Sequence, residues 1–290
     1  MSKASLLWHK ISESGLAHIM AAHSPLSARL AEEAGFDGIW ASGFELSALL
    51  GLPDLSLVSM TQHLDMTRAI CQHVSLPVIA DIDTGFGNAI NVFHAIEQYE
   101  RAGVAAVVIE DKTFPKVTSL LEGGRQQLAR VEEFQGKIEA ACRARRDPEF
   151  LVIARSEALI AGQGEAEALR RCSAYQKAGA DMILIHSKRK DPGEIESFAR
   201  AWRGAAPLVI VPTAYPEMDA PRIKALGNIK MVIYGNHAIR AAVTAMQQVF
   251  AGIRRDGGIK RIDGAIVSVE EIFRLQGMDA VKHQEDLFLR

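Results

Sequence analysis

The chain has 290 residues, of which 48% are hydrophobic and 23% are charged, as in an ordinary globular protein. Its net charge of -2 provides no basic surface and argues against nucleic acid as the main partner. The N-terminal residues lack a signal-peptide core, no apolar run is long enough to span a bilayer, and the three cysteines form no Cys-x-x-Cys motif. These features predict a soluble, cytoplasmic protein without a membrane partner, a zinc motif or a thiol-redox motif.

Eight apolar runs recur along the chain, with helical patterns between them. Continuous runs of Val, Ile and Leu are typical of parallel strands that are covered on both faces. The predicted strands are 18–23, 38–42, 77–83, 105–111, 150–156, 182–187, 208–213 and 231–236. Eight strands that alternate with helices predict an α/β fold of the (β/α)8 barrel type. An open doubly wound sheet would normally carry a Gly-rich phosphate turn after its first strand, and this chain has His-Ser-Pro-Leu there.

No linker or shift in composition divides the chain, so we expect one domain over residues 1–290. Residues after about 257 have the character of a C-terminal helical appendage. The segments 267–275 and 279–289 are amphipathic and helical in pattern, and their apolar faces need a partner surface. We therefore expect this end to pack on the barrel or on another subunit.

The stretch 78–88, which reads VIADIDTGFGN, is the centre of the functional prediction. It begins as a buried strand and then places Asp81 and Asp83 two residues apart, a spacing that puts both side chains on one side of a strand. Glu110 ends the next predicted strand, and Asp54 follows the second one in a loop, where it also fits an ordinary turn beside proline. Carboxylate oxygens without Cys or clustered His suit Mg²⁺ or Mn²⁺ and disfavour zinc.

Nearly every predicted strand ends in a chemically useful residue, and in barrels of this type the active site lies at the carboxyl ends of the strands. These residues are His23, Ser42, Asp81, Asp83, Glu110, Asp111, Arg155, Glu157, His186, Ser187, Thr213 and Asn236. Arg155 and His186, together with Lys116 in the loop after the fourth strand, predict a cationic crescent that faces the metal. A metal and cations together predict a small, multiply anionic substrate.

Five motifs resemble those of the phosphoenolpyruvate mutase/isocitrate lyase superfamily. They are SGFELS at 42–47, DIDTGFGN at 81–88, EDKTFPKVTS at 110–119, ARSEA at 154–158 and IHSK at 185–188. The resemblance covers nearly the whole chain. It implies a (β/α)8 barrel that exchanges its last helix with a neighbouring subunit, usually within a dimer of dimers.

The resemblance also implies a metal site and a substrate class. Its metal acids correspond to Asp81 as the direct Mg²⁺ ligand and to Asp54, Asp83 and Glu110 acting mostly through water. The substrate is a small 2-oxo acid whose carboxylate and keto oxygens chelate the metal. Backbone groups near Ser42, Gly43 and Phe44 hold its carboxylate end.

Branches of the superfamily differ in the loop after the fourth strand. Lyases that cleave isocitrate or methylisocitrate carry a catalytic Cys in a Lys-(Lys/Arg)-Cys-Gly-His motif there, whereas this chain reads FPKVTS. The mutase branch has Asn two residues after the lysine that corresponds to Lys116. Thr118 stands at that position, as in the branch that hydrolyses phosphonopyruvate.

The resemblance therefore favours hydrolysis of the P–C bond of phosphonopyruvate to pyruvate and phosphate, with a Mg²⁺-stabilised enolate as the leaving group. The alternatives are the phosphoenolpyruvate mutase reaction, a 2-oxo-acid C–C hydrolase or lyase of the oxaloacetate type, and a non-enzymatic barrel that binds oxo acids. The candidate catalytic residues are Asp54, Lys116, Thr118, Arg155 and His186.

Within this set, Lys116, Arg155 and His186 are expected to stabilise the departing phosphoryl group. Thr118 and Ser119 have hydroxyls that hold the phosphonyl oxygens or orient water. For Asp54 three roles stay open, namely base, nucleophile and metal partner. The loop 113–124 is expected to close over the substrate.

Overall fold

The computed structural model describes residues 1–290, and its eight parallel strands close into a barrel. The strands are β1 Ala17–Ala22, β2 Gly38–Ala41, β3 Val78–Asp81, β4 Ala106–Glu110, β5 Leu151–Ser156, β6 Met182–Ile185, β7 Leu208–Ile210 and β8 Ile229–Tyr234. Each strand pairs with the next one along the chain, and β8 closes the barrel on β1 with Ala17 opposite Met231. The (β/α)8 fold expected from the alternation of strands and helices is confirmed.

One helix precedes β1, and at least one helix follows each strand. The helices are α1 Lys3–Ser14, α2 Pro25–Glu33, α3 Gly43–Leu49, α4 Met60–His73, α5 Ala89–Arg101, α6 Val131–Ala144, α7 Gly164–Lys177, α8 Gly193–Ala201, α9 Ala220–Leu226, α10 His237–Asp256, α11 Val269–Gln276 and α12 Met278–Phe288. Short 3-10 turns lie at Pro212–Ala214 and Asp263–Ala265. Ser42 accepts a hydrogen bond from the backbone N–H of Glu45 at 3.2 Å, and this cap begins α3 directly after β2.

The strands are buried on both faces, which explains their continuous apolar sequences. Ile79 and Val108 belong to a cluster inside the barrel, whereas their neighbours Ala80 and Val107 belong to a cluster shared with the surrounding helices. Successive residues of a strand point to opposite faces, so each strand needs apolar residues at both its odd and its even positions. The polar side chains of the site lie at the carboxyl ends of the strands, as Asp81, Glu110 and Arg155 do, or in the loops that follow.

Several strands end earlier than their apolar runs predict. β3 ends at Asp81, and Asp83 lies beyond it in a turn with a left-handed φ of 51°. The prediction that the two acids share one side of a strand was therefore wrong. The turn, rather than the period of the strand, sets the direction of Asp83.

The chain divides into two compact units, Met1–Ala238 and Ile239–Arg290. The first unit contains all eight strands, and the second contains α10 from its third residue onward together with α11 and α12. This boundary falls before residue 257, where the sequence placed the start of the appendage. None of the helices has the length and apolar character needed to cross a bilayer.

Candidate active site

A pocket with a cavity volume of about 60 Å³ lies where the loops after the strands meet. It is lined by Trp40, Ser42, Phe44, Asp54, Asp81, Lys116, Thr118, Ser119, Leu120, Arg155, His186, Val211, Thr213, Gly235 and Asn236. A volume of this size has room for roughly four to six water molecules. The pocket therefore suits a small polar molecule, and the five candidate catalytic residues all line it.

Lys116 joins acids from two different loops. Its Nζ lies 2.7 Å from Asp83 Oδ1 and 3.0 Å from Asp54 Oδ1, and its side chain is only 5% exposed. Burial would lower the pKa of Lys116, but the nearby acids, first Asp83 and then Glu110, Asp54 and Asp81, raise it well above its ordinary value. The ammonium group therefore stays charged in a buried position.

The acids themselves are crowded and poorly solvated. Burial raises the pKa of Asp81, and it raises that of Asp83 to about 7, with Lys116 opposing and the neighbouring acids adding to both shifts. Asp83 Oδ1 and Glu110 Oε1 are buried without a hydrogen-bond partner, since the close approach of Lys116 to Asp83 lacks hydrogen-bond geometry. Unpartnered buried carboxylate oxygens are costly unless a cation meets them.

Gly43, the first residue of α3, lies against the same acids. A Cβ at this position would stand 3.1 Å from Asp83 Oδ1 and 3.6 Å from Asp81 Oδ2. Glycine therefore lets the start of the helix approach the acid pair. The neighbours Ser42 and Phe44 line the pocket, so the predicted substrate-binding segment lies beside the predicted metal acids.

The donor set fits a divalent cation that prefers oxygen. No group of three His, Cys, Asp or Glu side chains already surrounds one point as a metal site would, and Asp54 and Asp83 both contact Lys116. Mg²⁺ usually keeps several waters and needs few direct protein ligands. Glu110 Oε1, which is buried without a hydrogen-bond partner, and Asp81 at the pocket wall match that mode of binding, and Asp83 lies near them in an ion pair with Lys116.

Arg155 is held in one orientation by its neighbours. Its Nε lies 2.6 Å from Glu157 Oε1 and 3.3 Å from Glu110 Oε2, and its Nη2 donates to Ser119 Oγ at 3.0 Å. Burial would lower the pKa of this guanidinium, but Glu157 and the other acids raise it. A fixed guanidinium at a pocket wall is a typical anion-binding group.

His186 stands beside Arg155. Its Nδ1 lies 2.9 Å from Arg155 Nη2 and 3.1 Å from Glu157 Oε1. Burial and the charge of Arg155 lower the pKa of His186, so the ring is neutral near pH 7. A neutral imidazole offers one donor and one acceptor, and it lines the pocket as a hydrogen-bonding group rather than as a third cation.

Other residues after the strands turn away from the pocket. Asp111 accepts hydrogen bonds from Tyr175 Oη at 2.6 Å and from the backbone N–H of Glu157 at 2.8 Å, which gives it a structural role. His23 pairs with the buried Glu45 at 2.8 Å and does not line the pocket. Position at the end of a strand therefore predicted where the site lies, but it did not predict which individual residues line the pocket.

Two buried residues of the site received no role from the sequence. Glu157 holds Arg155, and Lys112 lies 3.0 Å from Glu157 Oε2. Burial would raise the pKa of Glu157, but Arg155, Lys112 and His186 hold it well below its ordinary value. The sequence signals for these residues were their places just beyond β5 and β4 and within the motifs at 154–158 and 110–119.

Comparisons with known proteins agree with this geometry. The family model described as phosphoenolpyruvate phosphomutase matches residues 9–254. A phosphonopyruvate hydrolase from Variovorax sp. (strain Pal2) is 58% identical over 290 residues and is covered completely, as is this chain.

Two solved structures are similar over the whole chain. The phosphoenolpyruvate phosphomutase from Streptomyces platensis subsp. rosaceus has a TM-score of 0.97 at 49% identity, with 99% of each chain covered. A phosphonopyruvate hydrolase in complex with oxalate and Mg²⁺ has a TM-score of 0.95 at 56% identity, with 100% of each chain covered. The resemblance found in the motifs is thereby confirmed, and the chain belongs to the phosphoenolpyruvate phosphomutase family.

Proposed function

We propose that this protein hydrolyses the P–C bond of phosphonopyruvate to give pyruvate and phosphate. The observation that carries the proposal is the position of Thr118, which lines one pocket with Lys116, Arg155 and His186. Full-length identity of 58% to a phosphonopyruvate hydrolase supports it. A small anion with a phosphonyl group at one end and a carboxylate at the other matches a pocket of this size and charge.

We assign Asp81 as the direct ligand of Mg²⁺, and Asp54, Asp83 and Glu110 as ligands that act mostly through water. The relative whose structure contains oxalate and Mg²⁺ supports a divalent cation and a 2-oxo-acid ligand, because oxalate presents two adjacent oxygens as a 2-oxo acid does. Bound Mg²⁺, or Mn²⁺ or another divalent cation in its place, supplies Lewis-acid stabilisation of negative charge on the keto oxygen of the substrate.

The protein side chains supply positioning and charge at the phosphonyl end. Phosphoryl transfer depends mainly on these two contributions. Lys116 and Arg155 present buried positive charges in fixed directions, and His186 adds a neutral hydrogen-bonding group. Thr118 and Ser119 lie on the same wall. We assign the Thr118 hydroxyl to the phosphonyl oxygens or the attacking water, whereas the Ser119 hydroxyl is already bonded to Lys112, Arg155 and Glu157 and supports that wall.

The carboxylate end of the substrate is assigned to Ser42, Gly43 and Phe44. Ser42 donates to the carbonyl oxygen of Gly235 at 3.3 Å, which fixes the start of α3 at the pocket edge. Asp54 lines the pocket while it contacts Lys116. We assign it to the reaction as base, nucleophile or metal partner. Replacement by Asn separates these roles: a loss of metal affinity indicates a metal partner, whereas a loss of turnover at unchanged metal affinity indicates a base or nucleophile.

Incubation of the purified protein with phosphonopyruvate and Mg²⁺ tests the proposal. The expected result is equal amounts of phosphate and pyruvate, with loss of turnover in EDTA and recovery when Mg²⁺ is added in excess. Phosphoenolpyruvate as the product would identify a mutase, the alternative that the TM-score of 0.97 to a phosphomutase favours. No turnover of phosphonopyruvate, with cleavage of oxaloacetate, would identify a C–C hydrolase or lyase. Binding without turnover of either compound would identify a non-enzymatic barrel.

We also propose a homo-oligomer, a dimer of dimers in which the C-terminal helix is exchanged between subunits. Within the unit Ile239–Arg290 large apolar side chains are exposed, including Phe250 at 62% and Phe288 at 74%. Such surfaces in an isolated chain are typical of association sites. Light scattering is expected to show a tetramer, and a monomer at micromolar concentration would contradict the proposal.

Two further assignments remain proposals. We place the protein in the cytoplasm, which its three free cysteines support. We also treat residues 1–290 as one domain with a C-terminal helical appendage. A single cooperative transition in calorimetry would support this organisation, and two separate transitions would contradict it.

A further inference from the structure

Lys112 lies at the base of the active-site loop and is almost completely buried, with 1% of its surface exposed. It follows β4 by two residues and forms an antiparallel bridge with Leu128, where the loop returns. Its Nζ donates to the carbonyl oxygen of Val117 and to Ser119 Oγ, both at 2.7 Å. It also lies 3.0 Å from Glu157 Oε2, so one ammonium contacts both the loop and the segment after β5.

Ser119 is the point where these contacts meet. Its Oγ accepts from Lys112 at 2.7 Å and from Arg155 Nη2 at 3.0 Å, and it donates to Glu157 Oε2 at 2.6 Å. A hydroxyl has one proton and two lone pairs, so these three bonds use its full capacity. In this arrangement Ser119 tethers the loop and has no free donor for a phosphonyl oxygen.

The contacts of Lys112 lie on both sides of Thr118, one of the candidate catalytic residues. Val117 and Ser119 are the two neighbours of Thr118, and Lys116 precedes Val117. A second support holds the same segment, because Gln126 Nε2 donates to the carbonyl oxygen of Thr118 at 3.0 Å. The direction in which Lys116 and Thr118 face the pocket therefore depends on where Lys112 holds the backbone.

Opening of the loop would remove both hydrogen-bond acceptors that the loop offers to this buried ammonium group and would leave it only the carboxylates of Glu157 and Glu110. A buried charge that loses its partners is strongly destabilised, so Lys112 opposes opening. Glu157 is also a partner of Arg155, at 2.6 Å. The loop and the guanidinium are thus held by the same carboxylate.

We propose that Lys112 is a positioning residue that holds the loop 113–128 closed and couples its closure to the Glu157–Arg155 pair. Lys112 does not line the pocket and acts through Val117, Ser119 and Glu157, with Glu110 Oε1 farther away at 4.0 Å from its Nζ. The kinetic part of this inference rests on the proposed function, whereas the part that concerns loop closure does not.

The first test replaces Lys112 by Met, which keeps the length of the stem and removes the donors. Turnover of phosphonopyruvate is expected to fall about ten- to hundredfold in kcat, as the loss of charged hydrogen bonds predicts, with a smaller change in KM. Lys112→Arg is expected to recover part of the loss. A Glu-specific protease is expected to cut at the exposed Glu122 faster in the Met variant than in the wild type.

Arg145→Met provides the matched control. Arg145 donates to the carbonyl oxygen of Phe150 at 2.7 Å and contacts Asp181 at 2.5 Å, just before β5 and β6 and outside the pocket. Its loss is expected to lower the melting temperature without changing kcat or cleavage at Glu122. If Lys112→Met behaves in the same way, the role of Lys112 is merely structural and the inference is overturned.

Ser119→Ala tests the coupling without removing a buried charge, so it also serves if the Met variant fails to fold. It is expected to lower kcat and to speed cleavage at Glu122. The double variant with Lys112→Met is expected to be no worse than the poorer single variant, whereas independent effects that multiply would overturn the coupling. If the wild type fails to turn over phosphonopyruvate, the proposed function fails, and the protease comparison still decides the role of Lys112.

Discussion

Lys116 Nζ and Asp83 Oδ1 lie 2.7 Å apart, which joins the loop after β4 to the turn after β3. The same ammonium contacts Asp54, a residue 62 positions earlier in the chain. Across the site the carboxyl groups outnumber the cations, because Asp54, Asp81, Asp83, Glu110 and Glu157 face only Lys112, Lys116 and Arg155. This excess charge is the physical reason to expect a divalent cation beside Asp81.

Replacement of Thr118 by Asn is expected to depress the release of phosphate from phosphonopyruvate. Thr118 lines the pocket, and a longer amide side chain would take the space through which water approaches the phosphonyl group. Phosphate and phosphoenolpyruvate are measured together, so that any gain of the mutase reaction is seen. Thr113→Asn, in the same loop but outside the pocket, is the control. Unchanged hydrolysis in Thr118→Asn would refute the proposed role.

Gly43→Ala is expected to weaken Mg²⁺ binding by roughly tenfold and to lower activity with it, because the new methyl group displaces the Asp83 carboxylate. Calorimetric titration of Mg²⁺ in the presence of oxalate measures this directly. Gly136→Ala is a matched control within α6, where a Cβ meets nothing within 4 Å. That variant is expected to gain about 1 kcal/mol of stability and to keep its metal affinity. Equal metal affinities in the two variants would contradict the placement of Asp83 at the cation site.

Arg155→Lys is expected to lower kcat/KM by about ten- to hundredfold, although the charge is kept. A lysine cannot contact Glu157, Ser119 and the substrate with the planar geometry of a guanidinium. Arg145→Lys, outside the pocket, controls for the general effect of this replacement. Steady-state kinetics at saturating Mg²⁺ provide the measurement, and a wild-type value for Arg155→Lys would mean that only its charge matters.

His63 gives a prediction for the pH dependence of stability. Burial lowers the pKa of this histidine from 6.5 to about 4, while its Nδ1 lies 2.7 Å from Tyr99 Oη. The unfolded chain therefore binds more protons between these two pH values. The stability that neutral His63 contributes is complete above pH 6.5 and is lost as the pH falls towards 4, by up to about 1.4 kcal/mol per pH unit.

Urea denaturation of wild type and His63→Gln at several pH values measures this effect as a difference. The gap in free energy of unfolding is expected to be largest near pH 7 and to narrow on acidification. Burial raises the pKa of Asp111 to about 6, so its effect on the pH dependence of stability is opposite in sign to that of His63. This effect is the same in the wild type and in the variant, and it therefore cancels in the difference. Thr61→Gln, at an exposed position of the same helix, changes no titratable group and is expected to show no such gap. A gap that is constant from pH 7 to 4.5 would contradict the prediction.

The fold was predictable because each strand carries its own signal. Runs such as the one that contains Ile79 and Ala80 are apolar at both odd and even positions, and only strands covered on both faces need that pattern. The residues at and just after the carboxyl ends of the strands were predictable as a set for the same reason, since the middle of each strand is apolar and the polar groups collect where the strands end. Arg155 and His186 were found in this way.

The sequence by itself determined the eight strands, the barrel and the group of acids and cations at one end of it, because burial and local periodicity are written along the chain. Only the tertiary structure decided which of these groups meet. The direction of Asp83 is set by a left-handed turn. Contacts between different loops join Lys116 to Asp54, and Lys112 and Ser119 to Glu157. Their distances depend on how barrel closure brings those loops together, and no local pattern of residues encodes that closure.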